Sequence, residues 1–136
     1  MNLRRAIWVW SLTIISAAFV AGSCRDDGTG PPPPLPGPLT VTVSSTAGPG
    51  TAFLFRVSGE GITGPQAINS GHRLFTNLSG DTLTVAVIGS IADGELLRFD
   101  VPDVNRAASY RVTLQEVAGS DNSLLPLSAF SLRILR

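Results

Sequence analysis

Apolar and polar side chains alternate with a period of two over most of residues 39–136. Leu39, Val41 and Val43 alternate with Thr40, Thr42 and Ser44, and Phe53, Phe55 and Val57 with Leu54 and Arg56. Leu83, Val85 and Val87 alternate with Thr82, Thr84 and Ala86. The pattern returns in Leu97, Phe99 and Val101 against Arg98 and Asp100, and in Tyr110, Val112 and Leu114 against Arg111, Thr113 and Gln115. Phe130, Leu132 and Ile134 against Ser131 and Arg133 form the last such run. In extended chain successive side chains point to opposite faces, so each run predicts a strand with one buried face. Gln66–Asn69 and His72–Asn77 carry the pattern more faintly and are expected at a sheet edge.

Gly48-Pro49-Gly50, Ser58-Gly59-Glu60-Gly61, Ser70-Gly71, Ser79-Gly80-Asp81, Asp93-Gly94 and Asp121-Asn122 separate these runs with residues that favour chain reversal. No stretch of ten or more residues keeps an uninterrupted helical period. Seven to nine short strands with frequent turns predict an all-β fold, a single antiparallel β-sandwich spanning 39–136.

The first 38 residues follow other rules. Arg4 and Arg5 precede an uncharged run, Ala6–Val20, and the small residues Ala21-Gly22-Ser23 follow it. That is the pattern of a secretory signal, assigned to 1–23. A membrane span needs about 20 apolar residues, and this run is shorter, with Ser11, Thr13 and Ser16 inside it. Cys24 comes next and is the only cysteine of the chain. As a free thiol it would be an odd cysteine in an exported protein, without an internal partner. As a point of lipid attachment it needs none. Residues 25–38, RDDGTGPPPPLPGP, contain six prolines and three glycines. Such a segment favours polyproline II, and at ~3.1 Å per residue it reaches about 43 Å, so 24–38 reads as an acylated cysteine on a stiff linker.

Val20-Ala21-Gly22-Ser23-Cys24 resembles the lipobox of bacterial lipoproteins. The resemblance implies diacylglycerol on the Cys24 thiol, cleavage just before it, and usually acylation of the new amine. Two or three acyl chains hold a protein at a membrane where one holds only marginally. The resemblance also implies the outer membrane over the inner one, because Arg25 stands where an aspartate marks inner-membrane retention. A second resemblance lies in the domain. Pro49–Val57, Gly94–Val101 and Ala129–Leu135 are similar to the early, later and closing strands of cohesin-like sandwiches, an Ig-like arrangement of two sheets.

Composition narrows the function. The 136 residues carry ten arginines, no lysine and ten acidic side chains, with 43% hydrophobic residues. Loss of 1–23 removes Arg4 and Arg5 and leaves eight arginines against ten carboxylates, a net charge of −2. Nucleic acid is therefore not an expected partner. Trp8 and Trp10 leave with the signal, which removes the usual aromatic platform for a sugar. Asn77-Leu78-Ser79 matches a glycosylation sequon by chance in a bacterial-type lipoprotein.

Little in the domain suggests catalysis. His72 is the only histidine, lies in Gly71-His72-Arg73 away from any nucleophile motif, and is expected to be solvated. Asp100, Asp103 and Asn105 surround a strand end and offer oxygen ligands for calcium, but an ordinary capped turn explains them more simply. Arg56, Arg98, Arg111 and Arg133 fall on the polar side of four different strands. Were those strands neighbours, the guanidinium groups would form a patch for phosphate or carboxylate; otherwise they pair with carboxylates such as Asp100 and Glu116 or keep the faces wet.

The expectation is thus a non-catalytic, lipid-anchored envelope protein without a cofactor. It would be a monomer that binds an envelope protein, or less readily a glycan, through a sheet face or its loops. The alternatives are a purely structural lipoprotein and a carbohydrate-binding module.

Overall fold

The computed structural model describes residues 30–136. The signal segment 1–23, Cys24 and the first residues of the linker lie outside the described residues. Eight strands follow in chain order: β1 Gly37–Ser45, β2 Gly50–Ser58, β3 Thr63–Ala67, β4 Arg73–Ser79, β5 Thr82–Ile91, β6 Gly94–Val101, β7 Arg111–Ala118 and β8 Phe130–Leu135. Short 3₁₀ turns at Val104–Ser109 and Leu127–Ala129 precede β7 and β8. The strands form two four-stranded antiparallel sheets, ordered β3-β6-β1-β8 and β4-β5-β2-β7. This is the all-β sandwich that the alternation predicts. The stretches Pro49–Val57, Gly94–Val101 and Ala129–Leu135 fall on β2, β6 and β8, with β8 laid antiparallel against β1.

The apolar phase of the four central strands turns inward. Leu39, Val41 and Val43 of β1, with Leu97, Phe99 and Val101 of β6, face Phe53, Phe55 and Val57 of β2 and Leu83, Val85 and Val87 of β5, all of them buried. Phe53 meets Phe130 edge-on at 5.5 Å between ring centroids, joining β2 of one sheet to β8 of the other.

Bulges in β6 and β7 interrupt the simple alternation. In β6, Val41 pairs with Leu97 while Thr42 pairs with Glu95, so Leu96 is an extra residue and both leucines are buried. In β7, Leu54 pairs with Glu116 while Phe55 pairs with Leu114, so Gln115 is the extra residue. After it the inward phase passes to Val117, which is fully buried, whereas Val112 and Leu114 are only half-buried. One inserted residue reverses which face a side chain meets.

The two faint strands are real and sit at sheet edges, each displaced from its expected span: β3 covers 63–67 and β4 covers 73–79. Tyr110 is buried ahead of β7, where its backbone N–H closes the 3₁₀ turn on Ala107. Its hydroxyl donates to the Glu60 carbonyl at 2.6 Å, and its ring lies 6.1 Å from that of Phe99. β1 takes in Gly37 and Pro38, and Leu35 is already attached to the sandwich, its N–H on Asp103 Oδ1 and its carbonyl on the Val104 N–H.

Candidate functional site

Register fixes what each sheet shows to solvent. On the outer side of β3-β6-β1-β8, one row runs Gln66, Arg98, Thr40, Leu135, and the next runs Glu95, Thr42, Arg133. Asp100 with Pro38 and Thr63, and Ser44 with Ser131, flank these rows. This face is polar, with charges of both signs interleaved.

The outer side of β4-β5-β2-β7 divides in two. Its lower rows are Asn77, Thr84, Arg56, Thr113 and then Ser79, Thr82, Ser58, Arg111. Its upper rows are Phe75, Ala86, Leu54, Glu116 and then Arg73, Ile88, Ala52, Ala118, the last bridged to Leu124. Phe75, Ile88 and Leu124 remain 57%, 46% and 71% exposed. Ala52, Leu54, Ala86, Ile88, Ala118 and Leu124, with Glu116 on the rim, enclose a shallow depression of about 150 Å³. Contiguous exposed apolar surface rimmed by charge is what interaction sites present, whereas scattered apolar residues are ordinary.

A signal for this face exists in the sequence. In β1 the outward positions are Thr40, Thr42 and Ser44; in β2 and β5 they include Ala52, Leu54, Ala86 and Ile88. Apolar residues in the polar phase mark a strand with two dry faces, or one awaiting a cover. Attention to the alternation alone passes over them.

The four arginines do not converge. Arg56 and Arg111 are exposed on the outer face of one sheet, Arg98 and Arg133 on that of the other, the latter two separated by β1. At most two guanidinium groups share a surface.

Asp103 and Asn105 are engaged within the fold. Asp103 is the N-cap of the first 3₁₀ turn, and its Oδ1 accepts from the Leu35 N–H at 3.1 Å and the Asn105 N–H at 3.0 Å. The Leu35 N–H is the main cause holding this carboxyl below the ordinary carboxylate range, with the Asn105 N–H and nearby Arg106 acting the same way. Asn105 Oδ1 accepts from Arg136 at 3.1 Å. Asp100 lies in mid-sheet opposite Pro38 and Thr63. Among the described residues no three His, Cys, Asp or Glu side chains gather as metal ligands. A capped turn is what the geometry shows.

His72 is half-buried, unlike the solvated histidine expected from its neighbours. Its ring lies against Gly89, where any side chain would collide with it, and its Nδ1 is enclosed without a hydrogen-bond partner among the described residues. It lines an open polar hollow of about 530 Å³ with Asn69, Ser90, Asp93 and Glu95. Asp93 there accepts from the Ser45 N–H at 2.9 Å, which ties the β5–β6 turn to β1.

Compared with protein-family models, curated proteins and solved structures, the chain matches none.

Proposed function

We propose that the protein is a non-catalytic component of a bacterial cell envelope. Acyl chains on Cys24 hold it at the outer membrane, the proline-rich segment spaces it from the surface, and the sandwich binds a protein partner. The observation that carries the binding role is the apolar upper half of the outer β4-β5-β2-β7 face, centred on Leu54 and Ile88. Its depression is lined by aliphatic side chains, which suits a protein anchor residue better than a sugar. Phosphate or carboxylate capture by a four-arginine cluster loses support, because those residues occupy opposite faces.

Two experiments test the halves of this reading. Cys24→Ser should move the full-length protein from the membrane fraction to soluble export; unchanged fractionation contradicts the anchor. The mature chain carrying Cys24→Ser, immobilised and exposed to envelope extract, should retain one protein in stoichiometric amount. The same yield with and without calcium separates this reading from one based on Asp100, Asp103 and Asn105.

A further inference from the structure

The free edge of β4 carries an inference independent of the anchor. β4 is the terminal strand of its sheet and, among the described residues, pairs only with β5, through a two-residue turn that closes on Ser79 and Thr82. Gly80 at the first turn position has φ +58°, the type II′ arrangement that Gly serves there. In such a hairpin the closing residues exchange both backbone hydrogen bonds, and that state recurs at every second residue. Ser79, Asn77, Phe75 and Arg73 therefore direct their backbone groups to β5. Leu78, Thr76 and Leu74 direct theirs away from the sheet. The edge lacks the usual guards: β3, the corresponding edge of the other sheet, contains Gly64 and Pro65, whereas β4 has no proline and Arg73 is its one charge. Leu78, on the core side of the strand, is left 50% exposed.

We propose that two copies of this chain pair antiparallel through β4, with Thr76 on the two-fold axis, joining their sheets into one of eight strands. This replaces the monomer expected from the sequence. In that register Thr76 faces its own copy, and Leu74 faces Leu78 of the other chain on both sides, so all three outward residues of each strand bond. The exposed Leu78 gains a leucine cover. On the outer face the two Phe75 rings come to diagonal positions, within aromatic reach across the axis. Charge complementarity selects the second copy as the occupant. Arg73 and Asp81 stand at opposite ends of the same hairpin. Antiparallel pairing therefore sets each Arg73 at the end of the pair where the other chain's turn carries Asp81, twice per pair.

Cysteine cross-linking of the full-length chain reads the register. Directly opposed, hydrogen-bonded residues have Cα atoms about 5.5 Å apart, inside the disulfide range of about 4.4–6.8 Å. Thr76→Cys should give a covalent pair on mild oxidation well above the parent chain, whose Cys24 sets the background, and above Arg111→Cys on the other edge strand. Cross-linking of Thr76→Cys no stronger than Arg111→Cys overturns the proposal. Thr76→Pro removes only an outward N–H, which an edge strand tolerates, so the β-type far-UV spectrum should persist while the solubilised full-length chain falls to monomer mass. A pair that survives Thr76→Pro overturns the proposal equally. Arg73→Asp should weaken pairing about tenfold by setting like charges together, and adding Asp81→Arg should restore it. Failure of the double exchange to recover pairing counts against the register.

Discussion

The two outer faces of this sandwich share one core and one strand chemistry, yet they meet solvent differently. On β3-β6-β1-β8 the outward positions are mostly threonine, serine and interleaved charges of both signs; on the upper half of β4-β5-β2-β7 they are mostly alanine, leucine, isoleucine and phenylalanine. A strand needs one apolar phase to fold. The second apolar phase of β2 and β5 adds nothing to the core, so its cost in exposed apolar surface calls for a covering partner. The contrast separates residues that hold the domain together from those available for binding.

The largest effects should fall on the shared core and show no preference between sheets. Phe55→Ala in β2 and Phe99→Ala in β6, both fully buried, should each destabilise by about 3–5 kcal/mol in urea unfolding. A much smaller loss for either would mean that the two sheets do not share one cooperative core.

Tyr110→Phe should cost about 1 kcal/mol, because it removes the hydroxyl that holds the Glu60 carbonyl of the β2–β3 turn at 2.6 Å. Burial raises the Tyr110 phenol above its ordinary pKa of 10.0. Its stabilising contribution is therefore complete below that value and declines as pH rises through the higher folded value. Phenolate absorbance in an alkaline titration should appear later in the folded chain than in urea.

A smaller effect belongs to Asp103, where the end of the linker is tied down. Its folded pKa is lowered, chiefly by the Leu35 N–H. The stability it contributes is present above the ordinary carboxylate pKa and is lost as pH falls toward the lower folded value. Asp103→Ala should flatten this part of the acid unfolding curve and speed hydrogen exchange at Leu35, leaving binding by the apolar face intact. Salt should change least. Capture through Leu54 and Ile88 should differ less than twofold between about 0.05 and 0.5 M salt, a range that weakens exposed arginine contacts; steep salt dependence would return attention to Arg56 and Arg111.

The fold was legible because period two is a strong signal, and the six clear runs all became strands. The bulges were not, since Leu96 and Gln115 differ from their neighbours only in backbone register, which alternation assumes to be constant. The arginine cluster failed for a related reason. Alternation tells which side of a strand a residue takes, but not which sheet the strand joins, and β2 and β7 lie in one sheet, β6 and β8 in the other. The apolar face was written in the sequence as Leu54 and Ala86 among the polar positions. Only pairing of β2 with β5, and of β5 with β4, sets them beside Ile88 and Phe75. In the sequence Asp103 reads more simply as a cap than as a ligand, and the fold adds the distant Leu35 N–H on its oxygen.

The most direct test places one carboxylate on each face. Leu54→Glu and Thr40→Glu occupy central strands, β2 and β1, at outward half-buried positions. Each should cost about 1 kcal/mol of stability or less. With both variants shown folded, partner capture from envelope extract should fall at least tenfold for Leu54→Glu and stay at the parent level for Thr40→Glu. Equal capture by the two, or loss confined to Thr40→Glu, would contradict the assignment of binding to the apolar face.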